Sequence, residues 1–326
     1  MREFAFELRL CAHLERAYPV VARQLGTSVR AAGGRIVDVV CLTPGPEFDA
    51  RPRLTSDAIP AAAIEADVGV GRWRRVTAAF DGPPARARDL ADRGRDAGFF
   101  DLDRRDGHAV VRRTARYPDW VGDLVGIENK PDLEEPGNLE AQLRHDVSLG
   151  VLDYAILATE SYVTRAHLNR LPSDVGVWRV NVDDDAADPI EVVREPTRLD
   201  ADGWGLEPGD AHPGRREIAT VSPAEKATQR LRVAERAYGK GWRTYDSPAC
   251  TNVERGREAG AETLPDCAYK GRLVDPASEC GPGCPGYDAG DAPDVDFEEE
   301  RAARQAWDPD ASSARTQSGL GRWTND

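Results

Sequence analysis

Glu128 and Lys130 stand two positions apart in the apolar run LVGIENKPDL, residues 124–133, which breaks at Pro131. In a strand alternate side chains share a face, so the carboxylate and the amine project together while Ile127 and Asn129 point the other way. Two charges on an apolar strand are costly unless they are paired or employed. Taken alone they form an ion pair at a strand end. Carboxylates are also the donors that a hard divalent cation takes, and three more polar side chains stand where apolar ones are expected. Asp38 lies in the middle of RIVDVVCL, residues 35–42. Glu7 falls on the apolar face of REFAFELRLCAHLER, residues 2–16, among Phe4, Leu8, Cys11 and Leu14. Gln142 lies in the first turns of NLEAQLRHDVSLG.

The elements that must position these groups follow from periodicity. Residues 2–16 read as a helix and 35–42, after a Gly-Gly pair, as a strand. DLVGIENK is a strand, NLEAQLRHDVSL a helix stopped by Gly150, and DYAILATE a strand again. VGVWRVNV and PIEVVRE are two more strands, and Ser222, Pro223 and Glu225 open a further helix.

Helix with Glu, strand with Asp, strand with E-x-K, helix with Gln, then a strand: this order resembles the PD-(D/E)XK nuclease superfamily. Glu7, Asp38, Glu128, Lys130 and Gln142 carry the resemblance, over residues 1 to about 46 and 119 to 182. The chain also resembles a group of proteins from haloarchaea. The fold so implied is α/β (α+β), a restriction-endonuclease-like mixed central sheet flanked by helices. The implied activity is phosphodiester hydrolysis on DNA with Mg²⁺ or Mn²⁺ held by Asp38, Glu128 and a main-chain carbonyl near Asn129. A divalent ion suits that reaction because it makes water nucleophilic and offsets charge on the phosphate. By resemblance Lys130 orients or deprotonates the water, Glu7 assists, and Gln142 positions the lysine or the phosphate. Two features depart from the family pattern. Val37, not proline, precedes Asp38, and 90 positions separate Asp38 from Glu128.

That separation requires an inserted module at residues 47–118. From Arg72 to Arg116 the chain has twelve arginines, seven aspartates and no glutamate, a net +5 inside a chain of formal charge -14. PPARARDLADRGRDAG reads as a proline-started helix, and FFDLDRRDGHAVVRRTARY as a hairpin about Asp106-Gly107. A helix followed by a basic hairpin resembles part of a winged helix-turn-helix, and a plain interaction insert fits as well. Placed beside the acidic residues, such a module suits a nucleic-acid enzyme.

Cys250, Cys267, Cys280 and Cys284 are spaced C-x16-C-x12-C-x3-C, with Gly281, Gly283 and Pro285 supplying tight turns. Four cysteines in 35 residues point to structural Zn²⁺, with an iron-sulfur cluster or unligated thiols as alternatives. Cys11 and Cys41 read as buried small hydrophobes. His108 and His145 read as ordinary surface residues, and no Ser-His-Asp set or phosphate-binding glycine loop is present.

The expected divisions are a nuclease-like core in two parts (1–46 and 119–198), the insert (47–118), a helix with the four-cysteine module (199–285) and a disordered acidic tail (286–326). That tail carries one short helix about FEEERAARQAW. There are 57 acidic residues against 43 basic ones, of which four are lysines. Such acidic, arginine-based chemistry resembles proteins of salt-loving archaea, so the charge does not exclude nucleic acid. No apolar run is long enough to span a bilayer, and a cytoplasmic location with no membrane partner is expected. Cleavage of both strands of a duplex would suit a homodimer. The alternative function is a non-catalytic nucleic-acid-binding or regulatory protein using the insert and the cysteine module.

Overall fold

The computed structural model describes residues 3–30, 34–181, 189–255 and 264–311. Helix α1 (Glu3–Leu14) buries Phe6, Leu8, Leu10, Cys11 and Leu14, and Glu7 goes in with them. Strand β1 (Val20–Gly26) has no counterpart among the expected elements, because Arg23 and Gln24 interrupt the apolar pattern that marks a strand. It pairs antiparallel with β2 (Ile36–Pro44).

The chain leaves the sheet at Pro44 and builds α2 (Ala61–Glu65), β3 (Arg74–Arg75), α3 (Val76–Ala79), α4 (Pro84–Asp96), β4 (Phe100–Arg105) and β5 (His108–Arg113). The three strands form a separate sheet in the order β3-β5-β4. Asp106 and Gly107 turn the β4–β5 hairpin with φ of +49° and +78°, the left-handed values that a tight two-residue turn requires. Ala87, Leu90 and Ala91 of α4 pack on Phe99, Phe100 and Val111 in a core that belongs to this segment. Gly94 lets the hairpin close on the helix, since a Cβ there would lie 2.3 Å from the Phe100 ring.

The chain returns as β6 (Val121–Asn129), followed by α5 (Leu139–Leu149), β7 (Tyr154–Thr159), α6 (Arg165–Arg170), β8 (Gly176–Val180) and β9 (Ile190–Arg194). The central sheet runs β1-β2-β6-β7-β8-β9. β6, β7 and β8 are mutually parallel and the other pairings antiparallel. A hairpin, β10 (Gly205–His212) and β11 (Arg215–Val221), leads into α7 (Pro223–Lys240). Ser222 and Glu225 cap α7 reciprocally, as their spacing predicts. Both faces of the sheet are covered. Val39, Cys41, Val125 and Ile127 pack on α1, whereas Val40, Leu42 and Leu124 pack on Val233, Ala234 and Tyr238 of α7. Helix α5 covers Ala155 and Leu157 on the α7 side. The chain is thus a mixed α/β protein with a central mixed sheet flanked by helices.

Short strands β12 (Val253–Arg255), β13 (Pro265–Cys267) and β14 (Arg272–Leu273), then α8 (Pro276–Glu279), form the cysteine segment. Leu264 and Leu273 join it to the core under α1. The acidic C-terminal stretch departs from the expected tail. Helix α9 (Phe297–Arg304) and the residues after it pack on the body as far as the buried Ala311. The Ala306 amide donates to Pro19 O, Gln305 to Val21 O, and the Arg301 guanidinium to Tyr238 O and Gly239 O. These few anchors outweigh a polar composition. Residues 312–326 of the expected tail lie outside the described residues. Among the described residues no helix is long and apolar enough to cross a membrane.

A candidate active site at the end of the central sheet

The register of β2 on β6 aligns Val39 with Ile127 and Leu42 with Leu124, so Asp38 and Glu128 meet one step further along, on the face covered by α5 and α7. Asp38 Oδ2 accepts the Asn129 amide at 3.0 Å, and the Asp38 and Glu128 carboxyls share a hydrogen bond. Such a bond between two carboxyls needs a proton. Burial, then the Asp38 charge, push Glu128 up to about 8; burial also raises Asp38, against the pull of the Asn129 and Gln24 donors.

Glu128 has a second partner that its sequence neighbourhood does not suggest. Arg35, only 3 % exposed, donates Nη2 to Glu128 Oε2 at 2.6 Å. The same guanidinium grips Asp146 of α5 through Nε to Oδ1 at 2.9 Å and Nη2 to Oδ2 at 2.6 Å. Helix α5 therefore reaches the site through Asp146, not through Gln142. Gln142 is half-buried, and among the described residues its side chain makes no hydrogen bond.

Glu7 approaches from the opposite face of the sheet. Asn129, one residue past Glu128, points toward α1 and donates Nδ2 to Glu7 Oε2 at 2.8 Å. Arg23 Nε donates to Glu7 Oε1, and Gln24 Nε2 donates to Glu7 Oε2 at 2.9 Å and to Asp38 Oδ1 at 3.2 Å. Gln24 can bridge the two faces because it adopts φ of +54° and drops out of the β1–β2 register between Arg23 and Leu25. A non-glycine residue in that region is uncommon and marks local strain held by its surroundings. Burial raises the Glu7 pKa, and Arg23 opposes the rise.

Lys130 stands apart from this cluster. It follows the last residue of β6, and its amine lies 3.8 Å from Glu3 Oε2 on α1, a quarter exposed. The Asn129 Oδ1 atom is buried and has no hydrogen-bond partner among the described residues. The arrangement thus offers two carboxylates and a free amide oxygen. Among the described residues no three His, Cys, Asp or Glu side chains come together as a metal-ligating set.

The inserted segment enters and leaves the sheet away from these acids. It joins β2 after Pro44 and β6 before Val121, the strand ends opposite to Asp38 and Glu128. Six residues of strand place the junction roughly 20 Å away. It docks near α7 instead, where Arg51 forks onto Glu235 and Thr228 donates to Glu65.

Cys250, Cys267, Cys280 and Cys284 are all free thiols, the first two buried. Burial, then the Cys267, Lys270, Cys250 and Cys284 charges, act on Cys280, whose pKa is raised on balance. Among the described residues the four thiols do not close into a coordination set. Cys11 and Cys41 are buried in the core as expected. His108 is exposed, whereas His145 is half-buried with Nε2 unpartnered among the described residues, and burial lowers its pKa.

Sequence reasoning missed Arg23, Gln24, Arg35, Asn129 as an amide, and Asp146. A signal existed for one of them: Asp146 sits four residues after Gln142 on the same helical face, next to the apolar Leu143 and Val147. No curated protein and no solved structure matches the chain. The family DUF5787, a family of unknown function, matches residues 20–289, which take in Asp38, Glu128 and all four C-terminal cysteines but not Glu7; the chain belongs to that family.

Proposed function

We propose that the chain is a metal-dependent nuclease that hydrolyses phosphodiester bonds in DNA, with the restriction-endonuclease-like fold of the PD-(D/E)XK superfamily. The observation that carries this reading is the meeting of Asp38 and Glu128 on one face of adjoining strands. The order of elements supports it, since α1, β1, β2, β6, α5 and β7 follow one another as a helix, three strands, a helix and a strand around the acids.

The residues present fit Mg²⁺ or Mn²⁺. Mg²⁺ typically takes one or two carboxylates and keeps several waters, so a two-carboxylate site is sufficient. Asp38 and Glu128 would hold it, with a main-chain carbonyl near Asn129 and water as further oxygen donors. When bound, such an ion supplies an acidified water and neutralises charge on the phosphate. Arg35 takes only Oε2 of Glu128, leaving Oε1, and Asp146 fixes the guanidinium so that Glu128 cannot rotate. Gln24 and the Asn129 amide hold Asp38 in the same way. Lys130 would act on water or phosphate after leaving Glu3, an exposed ion pair of about 0–1 kcal/mol.

The segment between β2 and β6 supports DNA as the substrate. Its order, α2, β3, α3, α4 and the β4–β5 hairpin with the sheet order β3-β5-β4, resembles a winged helix and supports that reading. Arg86, Arg88 and Arg93 line the exposed side of α4 and have no ion pair among the described residues. From the insert's junction with the sheet, roughly 20 Å from the acids, a duplex covers that distance in about six base pairs at 3.4 Å each.

A second reading has its own observation. Lys130 faces Glu3, and Arg35 already occupies Glu128, an arrangement that suits a non-catalytic nucleic-acid-binding protein. Plasmid nicking in high salt with Mg²⁺ or Mn²⁺ separates the two. The nuclease reading expects Asp38→Ala, Glu128→Ala and Lys130→Ala to lower cleavage by roughly 10²–10⁴-fold. Equal activity in all four proteins would overturn the assignment, and binding without cleavage by the wild type would establish the second reading.

A further inference from the structure

A cleft of about 570 Å³ opens between α1 and the cysteine segment. It lies within the roughly 300–1,000 Å³ of ordinary ligand sites. Arg23 and Gln24 form part of its wall, and these same two residues hold Glu7 and Asp38 from behind. One side chain thus separates the cleft from the proposed site of hydrolysis. Phe4, Tyr245 and Tyr287 supply aromatic lining. Phe4 is covered on one side by the Arg23 guanidinium, 5.0 Å from the ring centroid, and meets Tyr245 edge-on at 6.3 Å. Tyr287 is half-buried and has no ring partner among the described residues, so it has a face to offer.

The remaining polar lining discriminates between parts of a nucleotide. Asp246 faces the cleft; Asp275 also lines it, but its two oxygens already accept the Ala277 amide and the Ser278 hydroxyl. Carboxylates repel a phosphate, but they accept hydrogen bonds from the exocyclic amino groups of bases. An unpartnered ring beside the Asp246 carboxylate suits a base and disfavours a backbone. A base within a stacked duplex cannot enter such a cleft; an unpaired one can.

We propose that this cleft binds an unpaired nucleobase of the strand being cut, so that the preferred DNA carries a single-stranded end next to the scissile phosphate. This rests on the nuclease reading for its location, but its test does not require cleavage. Fluorescence anisotropy, without divalent ion, compares a labelled mixed-sequence single-stranded oligonucleotide with a blunt hairpin duplex. The probes are titrated with the wild type, Tyr287→Phe and Tyr287→Leu. The expected result is that Tyr287→Leu binds the single strand roughly tenfold more weakly, the size of one lost base stack. Tyr287→Phe binds like the wild type, and none of the three differs on the duplex. Equal binding of the single strand by all three proteins would overturn the proposal, as would an equal loss on both probes. If the expected pattern appears while Mg²⁺ yields no product, the nuclease reading fails and the base-binding cleft stands.

Discussion

Replacing Glu128 by Gln removes one proton-binding site and little else. The amide keeps the shape of the acid, still accepts from Arg35 and still donates to Asp38, as the protonated carboxyl does. The effect is therefore a matter of linkage. Glu128 titrates at about 8 in the folded chain, raised by burial and then by Asp38, against 4.5 for the ordinary group. A group whose folded pKa is raised contributes stability that is fully present below its unfolded pKa and is lost as pH rises through the folded one. Wild type must therefore lose stability relative to Glu128→Gln between about pH 4.5 and pH 8. At about 1.36 kcal/mol per pH unit the full gap is on the order of 5 kcal/mol, an upper bound because Asp38 shares the proton and Arg35 favours the anion. Glu7, Asp38 and Asp146 are also raised by burial, but they are present in both proteins and largely cancel in the difference. Thermal melts at constant ionic strength from pH 4.5 to 8.5 read the effect. The curves should coincide at the acid end and diverge to a Tm advantage for the variant of roughly 5–10 °C at the basic end. Adding Mg²⁺ at pH 8 should then raise the wild-type Tm and leave the variant's unchanged, because metal binding displaces the proton. Parallel curves without divergence would refute the reasoning, for they would mean that Glu128 is already ionised against Arg35.

Arg51 is fully buried, forks onto Glu235 and lies 3.8 Å over the Tyr238 ring, so Arg51→Ala strands a buried carboxylate. A stability loss of about 3–5 kcal/mol by urea denaturation is expected. Asp146→Ala should likewise destabilise by about 3–5 kcal/mol, since it leaves Arg35 without its forked partner, whereas Gln142→Ala should lie within about 0.5 kcal/mol of wild type. For the cysteines, whose thiols do not close into a coordination set among the described residues, elemental analysis of purified protein decides whether a metal gathers them: one zinc per chain, lost in Cys280→Ser, would mean that the segment rearranges around the ion. A metal-free wild type with an unchanged melt would show that Leu264, Leu273 and Val274 hold that segment unaided.

The parts of this molecule that were legible in the sequence are those whose signal is local. The Asp106-Gly107 hairpin, the α7 cap at Ser222 and Glu225, and the Gly150 stop of α5 each depend on a backbone conformation that few residue types supply. They stand where their residues place them. The pairing of Asp38 with Glu128 was legible for a related reason: a carboxylate in an apolar strand has few permitted uses, and two of them on neighbouring strands satisfy each other. The illegible parts are long-range. Arg35 lies 93 positions from Glu128 and 111 from Asp146, and nothing near it in sequence distinguishes it from the other arginines. Lys130 was misplaced because strand alternation was extended one residue beyond the end of β6. There the pleat no longer dictates direction, and an acid on α1 decides it. The insert was expected beside the acids because its charge fits a nucleic-acid site, but charge carries no direction. The strand polarity of β2 and β6 does, and it sends the chain out at the end opposite to Asp38. That geometry sets the constraint any mechanism must meet: a DNA held by the insert must reach the acids from the opposite strand ends, where the insert joins the sheet roughly 20 Å away.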